Sequence, residues 1–128
     1  MYYMELLAKL IQRHNTKVWL VNTGWLGPNN PNRGRVDILA SKAIINAVRD
    51  DQIDMNDDNF WYDEIFKLHV PKSVPGVSPE LLDPRNAWTN KAAYTATANK
   101  LAGIFQQAIV KLQDIPAHIV GAGPDPLE

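Results

Sequence analysis

The chain has no cysteine, which excludes a disulfide framework and any thiolate metal site and suits the reducing cytoplasm. Long apolar runs are also missing: nothing approaches the ~20 residues that span a bilayer, and the N-terminus lacks the basic-then-apolar pattern of a secretory signal. A soluble cytoplasmic protein is expected. Neither charge sign dominates, because 13 basic and 14 acidic residues leave a formal net charge of -1. That balance gives no electrostatic reason to expect nucleic acid or an anionic membrane as partner. No Gly-x-Ser-x-Gly, no Cys/His pair and no GxxxxGK[ST] phosphate loop occurs, so the usual nucleophile and triphosphate cradle are absent. His14, His69 and His118 fall on three separate elements without a second ligand at metal spacing, so no metal site is expected.

What remains is ordinary for a globular protein: 128 residues, 45% hydrophobic and 21% charged, enough for one domain at most. Residues 1–128 read as a single domain with no internal repeat and no linker. The organising stretch is Val18-Trp19-Leu20-Val21-Asn22, an uncharged run of β-favouring side chains that predicts a strand buried on both faces. Beyond it come Thr23-Gly24-Trp25 and a loop over 24–34 rich in Asn, Pro and Gly, leading to Arg33-Gly34-Arg35-Val36. The loop is expected to be the most mobile internal segment. In open α/β sheets the ligand crevice lies past the carboxyl ends of strands, so this loop is the place to look for a site.

Tyr3, Leu6, Leu7, Leu10 and Ile11 repeat at helical spacing, predicting an amphipathic helix over 2–14 that ends at His14-Asn15. A second helix is expected over 38–48, with Ser41 in its first turn on the inward side. There the serine can serve as a local cap, or it can face a ligand beside the helix N-terminus, where free N–H groups favour anions. Residues 50–64 hold seven of the fourteen acidic side chains. Asp54-x-Asn56-x-Asp58 imitates the start of a calcium loop, but Asn59 and Ile65 stand where Gly and Glu are needed, so a solvated connection is expected. Phe60-Trp61-Tyr62 and Ile65-Phe66-x-Leu68-x-Val70 predict a hairpin-like pair, with His69 an exposed strand histidine.

Prolines 71, 75, 79 and 84 make 71–88 an extended connection, with a short helix possible only at Ser78–Leu82 behind Pro79. A long helix is expected over 90–113, its apolar stripe running through Tyr94, Ala98, Leu101, Ile104, Phe105, Ala108, Ile109 and Leu112. Gly103 within it suggests close packing, and the small apolar segment 117–123 is expected to pack on a neighbouring part of a larger protein. Arg85 in Asp83-Pro84-Arg85-Asn86 reads as a buried structural pair with a nearby carboxylate, or else an anion clamp. Trp25 is expected to pack the loop down, although it is also placed to stack on a base. Arg35 is either a solvated loop arginine or a guanidinium fork for a base or phosphate.

The blocks VWLVNTGW, the nine residues to Arg35, AIINAV, VPKSVPGVSPELLDPRNAW, KLAGIFQQ and the closing AGP together resemble the C-terminal part of an ATP-dependent phosphoenolpyruvate carboxykinase. The resemblance runs nearly end to end. It implies an α/β fold with a small mixed sheet flanked by helices, a fragment of that enzyme's C-terminal, nucleotide-binding domain. The implied reaction converts oxaloacetate and ATP to phosphoenolpyruvate, carbon dioxide and ADP in gluconeogenesis, with Mg2+ accompanying the nucleotide and Mn2+ activating the site. In that family the arginine after the NTGW loop, the next residue and a hydroxyl residue on the following helix contact ATP; these positions correspond to Arg35, Val36 and Ser41. Val36 replaces the usual isoleucine, and Ser41 replaces a threonine but keeps the hydroxyl. The phosphate loop, the metal ligands and the oxaloacetate-binding arginine belong to earlier parts of the family's chain, so this chain alone is expected to be inactive and to hold no cofactor. Copies are expected to pair through surfaces bared by truncation. The competing reading is a stand-alone, non-catalytic α/β module that binds a nucleotide or a protein, with no large apolar face left open.

Overall fold

In the computed structural model, which describes residues 2–27, 35–112 and 115–127, the chain opens with helix α1, Tyr2–His14. The helix stops where Asn15 turns left-handed (φ 48°), with the N–H of Thr16 reaching back to the Ile11 carbonyl at 3.1 Å. Asparagine tolerates that conformation better than most residues, which is why the helix ends there. Helix α2, Ile38–Arg49, ends the same way. Asp51 is left-handed (φ 53°), and the N–H groups of Gln52 and Asp51 close on the Ala47 and Val48 carbonyls, the bond pair of a Schellman motif.

Strands β1, Phe60–Asp63, and β2, Leu68–Pro71, form an antiparallel hairpin in which Trp61 faces Val70 and Tyr62 faces His69. The turn between them is built by Asp63, whose buried carboxylate accepts the N–H groups of Ile65 and Phe66 at 3.0 and 2.9 Å. An Asx turn of this kind satisfies a buried acid without a cation. The α/β class expected from the sequence holds, as helices with a small sheet, and among the described residues that sheet is the hairpin alone.

One central expectation is corrected. Residues 18–22 are not a strand: the segment has no ladder partner among the described residues, and Val18, Leu20 and Val21 are 63%, 79% and 45% exposed. Propensity makes a segment fit for a sheet, but a strand exists only where a neighbour accepts its hydrogen bonds. Trp19 alone turns inward, stacking on Phe60 with ring centroids 6.4 Å apart.

Burial is concentrated in two small clusters. Ala47, Ile53, Val74 and Val77 form the first, flanked by Trp19, Ile44, Phe60 and Leu82. Val74 and Val77 both reach it because Pro75-Gly76 makes a tight turn between them, with Gly76 at φ 75° and the Val77 N–H on the Val74 carbonyl at 3.1 Å. Proline at the first central position and glycine at the second are what a type II turn requires. Ile65, Tyr94, Ala98 and Ala102 form the second cluster, with Phe66 and Trp88 against it.

Helix α3, Lys91–Ile109, is capped by the Asn90 side chain on the Ala93 N–H. Its buried side is narrower than the sequence suggests. Leu101, Ile104 and Phe105 are 41%, 51% and 47% exposed, and a Cβ at Gly103 would meet nothing within 4 Å. The reason lies in the partner: the hairpin turn covers one strip of α3, and no second layer lies against the remainder of the stripe among the described residues. The end of the chain returns to this unit through α4, Ala117–Gly121, and a strap in which Asp125 donates its N–H to the Ile65 carbonyl at 2.8 Å. Asn99 exchanges two 3.0 Å hydrogen bonds with the backbone of Leu127.

Candidate functional site

The two ends of the 24–34 loop are held together. Trp25 and Arg35 form an isolated antiparallel bridge, and the Val36 N–H donates to the Gly24 carbonyl at 3.0 Å. Residues 28–34, and with them most of the segment expected to be mobile, lie outside the described residues. Val36 is buried at 8% exposure, which anchors the strip and leaves its neighbour Arg35 exposed. Arg35 has no ion pair among the described residues. Trp25 does not pack the loop down: it is 62% exposed.

Asp37 then starts α2. Its carboxylate accepts the N–H groups of Leu39 and Ala40 at 2.8 and 2.9 Å, so the helix cap is Asp37, a residue the sequence reading passed over although it stands directly before the first helical position. Ser41 is not the cap. Its Oγ donates to the Asp37 carbonyl at 2.9 Å, beside its own N–H on the same oxygen at 3.0 Å. Two consequences follow for the chemistry. The helix N-terminus already holds a carboxylate, which repels a second anion and takes two of the donors an anion would use. The Ser41 hydroxyl has spent its proton inward, so toward a ligand it acts as an acceptor, suited to an amine or N–H group.

Arg35, Val36 and Ser41 thus sit on one short continuous stretch from the loop bridge to the first turn of α2. The other candidates lie elsewhere. Arg85 pairs with Asp83, Nε to Oδ1 at 2.9 Å, and lies over the Trp61 ring at 4.3 Å. The pair is structural as expected, but it is half exposed, with 45% of the arginine side chain accessible. Burial pushes the Asp83 carboxyl up, but the Arg85 side chain and backbone N–H outweigh it and hold the group below its ordinary range. The Arg85 pKa is raised by the same bond. Burial, with the Asp63 and Asp83 charges, pushes the Tyr94 phenol up. Lys91 closes the cluster by donating to the Arg85 carbonyl. An open cleft of about 580 Å³ lies beside the hairpin, lined by Met55, Asp57, Phe60, Tyr62 and His69; His69 is exposed and rests on Tyr62 with ring centroids 5.2 Å apart. It contains none of Arg35, Val36 and Ser41. Among the described residues no three carboxylates or imidazoles converge as a metal ligand set, and Asp54 spends its carboxylate on the Asn56 N–H at 3.0 Å.

Comparison with known proteins places these features in context. The family model for phosphoenolpyruvate carboxykinase matches residues 1–80. Phosphoenolpyruvate carboxykinase (ATP) 1 of Moorella thermoacetica is 39% identical over 123 residues, 96% of this chain and 23% of that protein. The Pelobacter propionicus enzyme of the same name is 43% identical over 121 residues, covering 94% and 22%, and that of Geobacter sp. strain M21 is 41% identical over 104 residues, covering 81% and 19%. The chain therefore spans about a quarter of the length of the curated relatives it matches. On this agreement in sequence over nearly its whole length, the chain belongs to the ATP-dependent phosphoenolpyruvate carboxykinase family.

Proposed function

We infer that this chain supplies the adenine side of the ATP site to an ATP-dependent phosphoenolpyruvate carboxykinase, as the C-terminal part of its nucleotide-binding domain. The full reaction is the conversion of oxaloacetate and ATP to phosphoenolpyruvate, carbon dioxide and ADP, a cytoplasmic step of gluconeogenesis. The carrying observation is the bridge between Trp25 and Arg35, which holds an exposed guanidinium, without an ion pair among the described residues, at the start of the strip leading to Ser41. In this reading the Arg35 fork binds the nucleotide, Val36 fixes the strip by its burial, and Ser41 accepts a hydrogen bond from the base. A hydroxyl whose proton is engaged discriminates in favour of a donor such as an exocyclic amine.

The rest of the chemistry lies outside the chain. Mg2+ accompanying the nucleotide and Mn2+ activating the site would offset the charge of phosphoryl transfer, but the described residues offer them no ligand set, and the chain has no phosphate loop. In this reading the chain alone is inactive.

The test is a chimera in which this chain replaces the matching segment of the Moorella relative. Arg35→Ala should raise the KM for ATP roughly ten- to a hundredfold, the equivalent of ~1.5–3 kcal/mol for a charge-assisted contact, with the KM for oxaloacetate little changed. Ser41→Ala should cost less, ~0.5–1.5 kcal/mol. An Arg35→Ala enzyme with unchanged ATP dependence, or a larger Ser41 effect, would refute the assignment.

A further inference from the structure

The open cleft of about 580 Å³ beside the hairpin has the volume of a small-molecule site, and the nucleotide strip does not use it. Phe60 and Tyr62 stand two residues apart on β1 and so share one face of the hairpin, and the register sets His69 opposite Tyr62. One wall is therefore aromatic. Phe60 stacks on Trp19 with centroids 6.4 Å apart, and Tyr62 lies against His69 at 5.2 Å, so each ring is braced by another. The rim is braced as well. Asp57 opens the single 3-10 turn Asp57–Asn59, and the Asn59 side chain ties that turn to the segment leaving β2. Its amide donates to the Asp54 carbonyl at 2.9 Å, and its oxygen accepts the Ser73 N–H and hydroxyl at 3.1 and 2.8 Å. A site built before its ligand arrives loses less on binding.

The charge around the cleft is one-sided. Its lining holds one carboxylate, Asp57, and no lysine or arginine. Asp57 forms no ion pair among the described residues, and Lys72, one residue past β2, donates to the Asp58 carbonyl at 2.9 Å. Residues 50–64 carry seven of the fourteen acidic side chains, which deepens the negative potential. The ring faces are themselves negative, and the Met55 thioether is polarisable. A single carboxylate is too few oxygens for a metal ion, and a primary ammonium holds its water tightly. Aromatic faces beside one acid suit a methylated ammonium, which is weakly hydrated and has no N–H to satisfy.

We propose that this cleft binds a small quaternary ammonium compound, its methylated nitrogen against the Phe60, Tyr62 and His69 rings and its charge offset by Asp57. His69 takes part in its neutral form, because an imidazolium would repel the ligand. The proposal stands apart from the nucleotide contacts.

Choline chloride is titrated into the isotope-labelled chain at about pH 8, with sodium chloride holding the ionic strength constant, and amide shifts are followed by two-dimensional NMR. Saturable shifts at Asp57, Tyr62 and His69 are expected, with a Kd on the order of 1–10 mM for so open a site. Dimethylbutanol, the neutral isostere of choline, should bind at least about fivefold more weakly. Tyr62→Leu should weaken choline binding about two- to fivefold, whereas Tyr62→Phe keeps the ring and leaves it unchanged. Asp57→Asn should weaken it by about the same factor and remove most of its salt dependence. The comparison of choline with the neutral alcohol on the wild-type chain stands even where a variant fails to fold. Shifts that stay linear to roughly 100 mM, equal binding of the neutral alcohol, or shifts elsewhere with these three amides silent would each overturn the proposal. Concentration-dependent broadening of the same amides without ligand would also overturn it, since a second copy would then fill the cleft. The KM for ATP in the chimera bears only on Arg35 and Ser41, so the two readings fail separately.

Discussion

Replacing Asp37 with Ala tests whether its carboxylate stabilises the chain as the cap of α2. The carboxylate holds two backbone N–H groups at 2.8 and 2.9 Å, and loss of an N-cap of this type costs about 1 kcal/mol, within ~0.5–2. Its negative charge at the positive end of the helix adds ~0.3–1 kcal/mol. The Ser41 hydroxyl bonds to the main-chain carbonyl of residue 37 and survives the change, so it contributes nothing to the difference. The expected loss is ~1–2 kcal/mol at low salt, and less in high salt because an exposed charge is screened. For a chain of this length, ~1 kcal/mol corresponds to roughly 3–6 °C in melting temperature. Asp37→Asn keeps the acceptor and loses the charge, so it should cost only ~0.3–1 kcal/mol, the dipole share. Urea unfolding followed by far-ultraviolet circular dichroism measures all three proteins. The reasoning fails if Ala and Asn are equally destabilising, since the cap would then act through charge alone, or if the Ala variant matches wild type within about 0.3 kcal/mol, below the weakest caps measured.

The Asp83–Arg85 pair predicts a pH dependence. The Asp83 carboxyl is held below its ordinary value of 3.8 in the folded chain, so the unfolded chain binds its proton first and the pair's stabilisation is complete above that value and lost as pH falls through the folded one. The stability difference between wild type and Asp83→Asn should therefore shrink as the pH is lowered below about 4, and a difference that grows there would contradict the pairing. Asn99→Ala removes both hydrogen bonds to Leu127; it should cost ~1 kcal/mol, discounted for exposure, and speed amide exchange at Leu127, and an unchanged exchange rate would show that the strap is held elsewhere.

The local signals in the sequence were sufficient for the local structure. Apolar spacing located α1, α2 and α3, and Pro75-Gly76 is by itself a turn instruction, because those elements are closed by bonds between neighbours in sequence; β-favouring side chains and alternation located the hairpin, although Ile65 and Phe66, read as the start of its second strand, belong to the turn that the Asp63 carboxylate closes. Asp37 was legible too, as an acid directly before a helix, but the hydroxyl of Ser41 drew the reading one turn too far. The family was legible from ordered blocks such as NTGW and DPRN.

Tertiary structure decided what depends on partners distant in sequence. Val18 to Asn22 has all the propensity of a central strand, yet strand pairing needs a second backbone, and the described residues supply none. The long stripe on α3 was read from periodicity alone, which says which side chains share a face but not how much of that face is covered. The hairpin turn covers the strip at Tyr94, Ala98 and Ala102 and leaves Leu101, Ile104 and Phe105 in the open. The same distinction separates Trp19, pulled in by Phe60, from Trp25, left outside: both are tryptophans in one short segment, and only the position of a third residue in space sets their burial.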